Sequence, residues 1–78
     1  MISTVDQLLA NYDTPPLASR AAGKVRSAGY HWYGDKRVIP SDDALLKMAE
    51  HQELPDESVE SILLDASRQR LAMRQSKY

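Results

Sequence analysis

PPLASRAAGKVRSAGYHWYGDKRVIP, residues 15–40, reads as two short helices about a glycine turn. The second helix ends in an aromatic cluster and leaves through a basic loop. Proline cannot extend a running helix, and it disfavours the helical state in the residue before it. It does suit a first helical turn, and Thr14 ahead of it is a good N-cap. Asp13-Thr14-Pro15-Pro16 therefore ends one helix and starts the next, which spans about Leu17–Ala22 and is rich in small residues that let another helix come close. Gly23 fits a helix C-terminus, where the left-handed conformation is cheap for glycine. A third helix is expected over about Val25–Tyr33, with Gly29 in its middle at a cost of about 1 kcal/mol relative to alanine. Ala28 and Trp32, four apart, face the core together and leave Arg26, Ser27, Tyr30 and His31 on the surface. Gly34-Asp35-Lys36 reads as a turn, after which Val38 and Ile39 return to the core.

Upstream, Ser3 or Thr4 caps a first helix, with Asp6 favourable in its first turn. Val5, Leu8 and Leu9 form one apolar stripe, with Tyr12 at i+7. A stripe this short makes sense only within a packed bundle. Downstream, Pro40 and Ser41 open a fourth helix whose first turn holds Asp42 and Asp43, opposing the helix dipole. Ala44, Leu45, Met48 and Ala49 are its apolar stripe, and His51-Gln52-Glu53 lead out. Pro55, Asp56 and Glu57 begin the last helix, about residues 55–74. Its apolar face is Val59, Ile62, Leu63 and Ala66, extended by Ala72 and Met73, and Gln75 to Tyr78 fray. No strand is expected. The fold class is all-α, a compact five-helix bundle in one domain spanning 1–78.

With 78 residues the core is modest, and association is a common way for so small a chain to gain stability. Hydrophobic content of 42% and charged content of 27% are ordinary for a globular domain. Without cysteine there is no disulfide scaffold, thiol nucleophile or thiolate zinc site, which suits a reducing cytosol. No apolar run approaches the roughly 18 residues of a membrane span, and no signal-peptide pattern opens the chain. The net charge is -1, but its distribution is uneven. Arg20, Lys24, Arg26, Lys36 and Arg37 against Asp35 make residues 20–37 locally +4. Residues 42–60 carry Asp42, Asp43, Glu50, Glu53, Asp56, Glu57 and Glu60 against Lys47, a balance of -6. The tail from Asp65 is +3. Such a chain can touch phosphates with one face only, although a solvated mixed-charge surface has the same census.

The order helix, glycine turn, helix suggests a helix-turn-helix over about residues 15–34, and a helix so presented fits the major groove of B-DNA, about 12 Å wide. Arg26 can bind guanine in a bidentate way, and Ser27, Tyr30 and His31 can hydrogen-bond bases or phosphates. Lys24, Lys36 and Arg37 stand at the two ends, where the phosphate backbone would run.

The run GKVRSAGYHWYGDKRVIPSDDALLKMAE resembles the helix-turn-helix of the Cro and repressor-like regulators of phages. Gly23, Trp32, Lys36, Arg37, Ile39, Pro40, Ala44, Leu45 and Ala49 match that family's pattern. ELPDESVESILLDASRQRLA is similar to the last helix of small regulators of filamentous and other phages, so the resemblance covers about Leu17–Ala72. Two positions depart from the pattern. Lys24 and Gly29 stand where apolar residues are usual, so either the register shifts by one or the helix packs loosely and orders on DNA.

The resemblance implies a lambda-repressor-like domain and a sequence-specific regulator of transcription, a phage or prophage repressor that occupies an operator. Such a protein works in the bacterial cytoplasm at the nucleoid, without cofactor or small-molecule ligand. A homodimer reads two half-sites about one helical turn apart, with the last helix or the tail beyond Arg68 as its contact. The rival is a small phage protein-binding module that keeps the scaffold and inhibits a host protein through the acidic stretch Asp42–Glu60.

Other residues have plainer readings. Trp32 belongs to the core rather than to a ligand site. His31 has only His51 as a histidine partner, too few for a metal site of about four ligands. Asp42-Asp43 and Asp56-Glu57 are explained by helix starts, and no nucleophile–base constellation accompanies them.

Overall fold

The computed structural model describes residues 1–75. Four α-helices and one 3-10 helix make up the regular structure, with no strand among the described residues. They are α1 (Val5–Ala10), α2 (Pro15–Ala21), the 3-10 helix Arg26–Trp32, α3 (Asp42–His51) and α4 (Asp56–Gln75).

Helix α1 has six residues, too few to persist alone, and its ends are held by the rest of the chain. Thr4, rather than Ser3, is the N-cap: its Oγ1 accepts from Gln7 N at 3.1 Å. Asp65 of α4 reaches across the bundle and accepts the Val5 N–H at 2.9 Å. At the other end the Tyr33 hydroxyl donates to the Leu9 carbonyl at 2.9 Å, and Gln52 Nε2 donates to the Leu8 carbonyl at 3.2 Å. Tyr12 lies beyond the helix but still packs against the core.

Thr14 occupies the N-cap position of α2 without making a side-chain cap. The cause is local. Pro15 and Pro16 have no N–H to offer, and Leu17 N bonds the Thr14 carbonyl at 3.1 Å instead. The helix ends as expected at Gly23, whose φ is +68°. Gly23 N bonds Arg20 O at 3.1 Å and Lys24 N bonds Ser19 O at 2.9 Å, the two bonds of a Schellman motif. Helix α3 ends in the same pattern, with Glu53 at φ 55° in the glycine-favoured position. Ser41 caps α3, accepting from Ala44 N at 3.2 Å, and Ala44, Leu45, Met48 and Ala49 are buried as the stripe predicts.

The segment expected to be a third α-helix is a seven-residue 3-10 helix. Its fully buried positions are Gly29 and Trp32. That spacing of three eclipses in a 3-10 helix, whereas the expected Ala28–Trp32 pair assumed a spacing of four. Nor is the segment loosely packed. It lies hard against α2: Gly29 N donates to Ser19 Oγ at 2.6 Å, and a Cβ on Gly29 would overlap the Pro15 carbonyl and stand 2.5 Å from Ser19 Oγ. Only glycine permits this approach.

The core gathers Val5, Leu8 and Leu9 of α1, Ala18 and Ala22, Trp32, Ile39, the α3 stripe, and Ile62 and Ala66 of α4. Val38, expected to return with Ile39, is instead 61% exposed. On α4 the fully buried positions are Ser58, Ile62 and Ala66; Val59 and Leu63 are half-buried and Ala72 is exposed. The expected fraying of Gln75–Tyr78 concerns mainly Ser76, Lys77 and Tyr78, which lie outside the described residues. Gln75 is the last residue of α4.

Candidate nucleic-acid interface

Burying Gly29 and Trp32 leaves the other side of the 3-10 helix in solvent. Arg26, Ser27, Tyr30 and His31 are all exposed there, as their sequence positions predict. The ridge is held from beneath. Ser19 Oγ is within hydrogen-bonding distance of Pro15 O (3.1 Å) and Arg26 O (2.9 Å) while accepting from Gly29 N. One buried hydroxyl thus ties both ends of the Arg26–Gly29 turn to α2. The exit loop is pinned to the same ridge, with Val38 N donating to His31 O at 2.6 Å.

The expected cations split between two clefts. Lys24 and Arg26 join Arg20 around Pro16 and Leu17, at the start of the 3-10 helix. Lys24 Nζ is 3.5 Å from Asp43 Oδ2, and Lys47 Nζ is equally far from the same oxygen, so this pole keeps a cationic surplus. Lys36 and Arg37 lie past the other end of the ridge, in a cleft shared with Arg70 and Arg74 of α4. Arg37 is not free to meet a phosphate. Its guanidinium bonds Asp6 of α1 and Gln69 of α4, and its side chain is only 16% exposed. The segment's basic charge predicted a backbone contact, but the structure makes Arg37 a brace between three elements. Lys36 is exposed, with no ion pair among the described residues.

Sequence reasoning missed Arg20, Arg70 and Arg74 as neighbours of the ridge. Arg20 entered the charge census, but its place depends on how α2 packs. Arg70 and Arg74 are 44 and 48 positions from the ridge's start at Arg26, and no local pattern brings them there.

The acidic residues divide as well. Asp42 pairs with Arg70 at 2.9 Å and Asp43 with the two lysines. Glu50, Glu53, Asp56, Glu57 and Glu60 are exposed around the α3–α4 turn, with no ion pair among the described residues. His31 and His51 do not form a common site. His51 stacks on Tyr12, ring centroids 5.7 Å apart, and its Nδ1 lies 3.1 Å from the Tyr12 hydroxyl. Burial, and secondarily the neighbouring Tyr12, push the Tyr33 hydroxyl above the ordinary tyrosine value.

No helix among the described residues is long and apolar enough to cross a membrane. Compared with known proteins, the chain matches no family model, no curated protein and no solved structure.

Proposed function

We propose that the chain is a sequence-specific double-stranded DNA-binding regulator of transcription, a phage or prophage repressor of the Cro type that occupies an operator as a homodimer. The observation that carries this reading is the ridge itself. It displays an arginine, a serine, a tyrosine and a histidine on one solvent face, between cations at both ends. At about 2.0 Å per residue a seven-residue 3-10 helix is roughly 14 Å long. The major groove is about 12 Å wide and admits a helix lying along it, so a ridge of this length can run along successive base edges. Arg26 is the base-reading candidate, and Lys24 and Lys36 are the phosphate contacts. Leu64 and Leu71 are exposed two turns apart on α4 and supply an apolar face for the homodimer.

Fluorescence anisotropy tests the reading, with the protein titrated into a random DNA pool and into the DNA flanking its own gene at two salt concentrations. Tight, salt-sensitive binding that favours the flanking DNA is expected. Arg26→Ala should cost about 1–3 kcal/mol and relax sequence preference, whereas Lys36→Ala should weaken all sequences alike. Equal, non-selective losses from both remove the base-reading role of Arg26. Absence of binding at low salt removes the whole reading.

The acidic pole favours a second reading. Five acids around the α3–α4 turn have no ion pair among the described residues, a face suited to a basic host protein. Charge reversals at Glu57 and Glu60 that abolish regulation while DNA binding survives would establish it.

A further inference from the structure

The cleft between the exit loop and the C-terminal half of α4 has a volume of about 760 Å³. Lys36, Arg37, Arg70 and Arg74 line it, with Asp35 the only acid among the described residues. Two of the four cations are committed. Arg37 is held by Asp6 and Gln69. Arg70 donates to Asp42 Oδ1 at 2.9 Å and to the Pro40 carbonyl at 2.6 Å. These bonds fix the loop wall and the helix wall relative to each other. Lys36 and Arg74 are exposed on the two walls and have no ion pair among the described residues.

Resting on the DNA-binding reading, we propose that this cleft is a seat for the DNA phosphate backbone, with Lys36 and Arg74 as its phosphate ligands. The C-terminal half of α4 thereby becomes part of the DNA footprint. Continuity with the ridge favours a nucleic-acid strand. The Val38–His31 hydrogen bond joins the loop wall to the end of the 3-10 helix that carries His31. A backbone leaving the ridge therefore runs directly toward Lys36. The guanidinium of Arg74, with no ion pair among the described residues, presents a planar fork of donors that suits phosphate oxygens, and the Lys36 ammonium supplies a second point charge. The exposed Val38 in the same cleft could instead receive an apolar side chain, so an acidic peptide is the rival occupant.

The salt dependence of DNA binding tests the proposal. Each phosphate neutralised contributes about -0.9 to the slope of log K against log salt. Lys36→Ala and Arg74→Ala should each make the slope shallower by about that amount. The double variant should lose about twice as much, and preference for the flanking DNA should persist throughout. Arg74→Lys should retain the slope. Circular dichroism on each variant confirms that the helices remain.

If the wild type binds no DNA, the DNA-binding reading itself falls, and this inference with it. If the wild type binds and Arg74→Ala keeps the wild-type slope, the seat is refuted while that reading stands. An unchanged slope together with Arg74-dependent binding of a labelled leucine-containing polyglutamate peptide assigns the cleft to the rival occupant.

Discussion

The backbone N–H of Gly29 donates to Ser19 Oγ at 2.6 Å, and both residues are buried where the 3-10 helix crosses α2. The Ser19 hydroxyl has one proton and two carbonyls in reach, Pro15 O and Arg26 O. It accepts from Gly29 whichever carbonyl it serves. This contact sets how far the Arg26–His31 ridge stands from the body of the protein, so its integrity is open to direct test.

Gly29→Ala should be strongly destabilising. The new Cβ meets backbone, the Pro15 carbonyl, which cannot swing aside as a flexible side chain can. Overpacking of this kind costs typically 1–3 kcal/mol, and each kcal/mol lowers the Tm of so small a domain by roughly 4–8 °C. A thermal melt followed by circular dichroism checks it, and an unchanged Tm would mean that the two helices do not touch at Gly29.

Two buried serines should answer alanine in opposite ways. Ser19→Ala strands the Gly29 N–H in the interior, at a cost of about 1–3 kcal/mol. Ser58 Oγ is buried on α4 with no hydrogen-bond partner among the described residues. Ser58→Ala removes an uncompensated polar group and improves helix propensity, so it should be neutral or stabilising. Urea denaturation of both variants measures the contrast, and a loss at Ser58 as large as that at Ser19 would contradict it.

Arg37→Ala should act on stability and not on DNA. Its guanidinium ties the exit loop to Asp6 and Gln69 and is mostly covered. A loss of about 1 kcal/mol is expected, the scale of a partly buried charge-assisted contact. The salt slope of DNA binding should match the wild type, whereas Lys36→Ala should make it shallower. A shallower slope from Arg37→Ala would return that residue to the phosphate contacts.

Tyr33 makes part of the fold's stability sensitive to alkaline pH. Burial, with Tyr12 nearby, raises its pKa above 10.0 in the folded protein. The native state then holds the proton more tightly than the unfolded chain does. Tyr33 therefore contributes stability below pH 10, and that contribution is lost as pH rises through the folded pKa. Tyr33→Phe should lower stability at neutral pH by about 1 kcal/mol, through loss of the bond to Leu9 O. It should also flatten the decline above pH 10. Parallel pH profiles for the two proteins would exclude Tyr33 as the titrating group.

Much of the helical layout is legible in the sequence because its causes are local. The stripes of α1 and α3 keep the helical period, Ser41 caps α3, and Gly23 takes the left-handed turn that ends α2. The exposure of Arg26, Ser27, Tyr30 and His31 is legible too, since burying Trp32 turns its neighbours outward. Legibility fails where a position is judged by its own propensity alone. Gly29 reads as a fault in a helix, but its missing side chain is what admits the Pro15 carbonyl.

From sequence alone come the apolar stripes, the Gly23 stop of α2, the Ser41 start of α3 and the residues around 26–32 that can face water. The packed fold alone winds this segment as a 3-10 helix, because its geometry answers to α2 rather than to its own neighbours. It also decided that Arg37 braces Asp6, 31 positions away, and that Asp65 caps α1 from 60 positions away. The physical reason is common to all three. A short helix or a loop cannot satisfy its own backbone and charges, so its partners come from whatever the fold brings near, and chain order does not record that proximity.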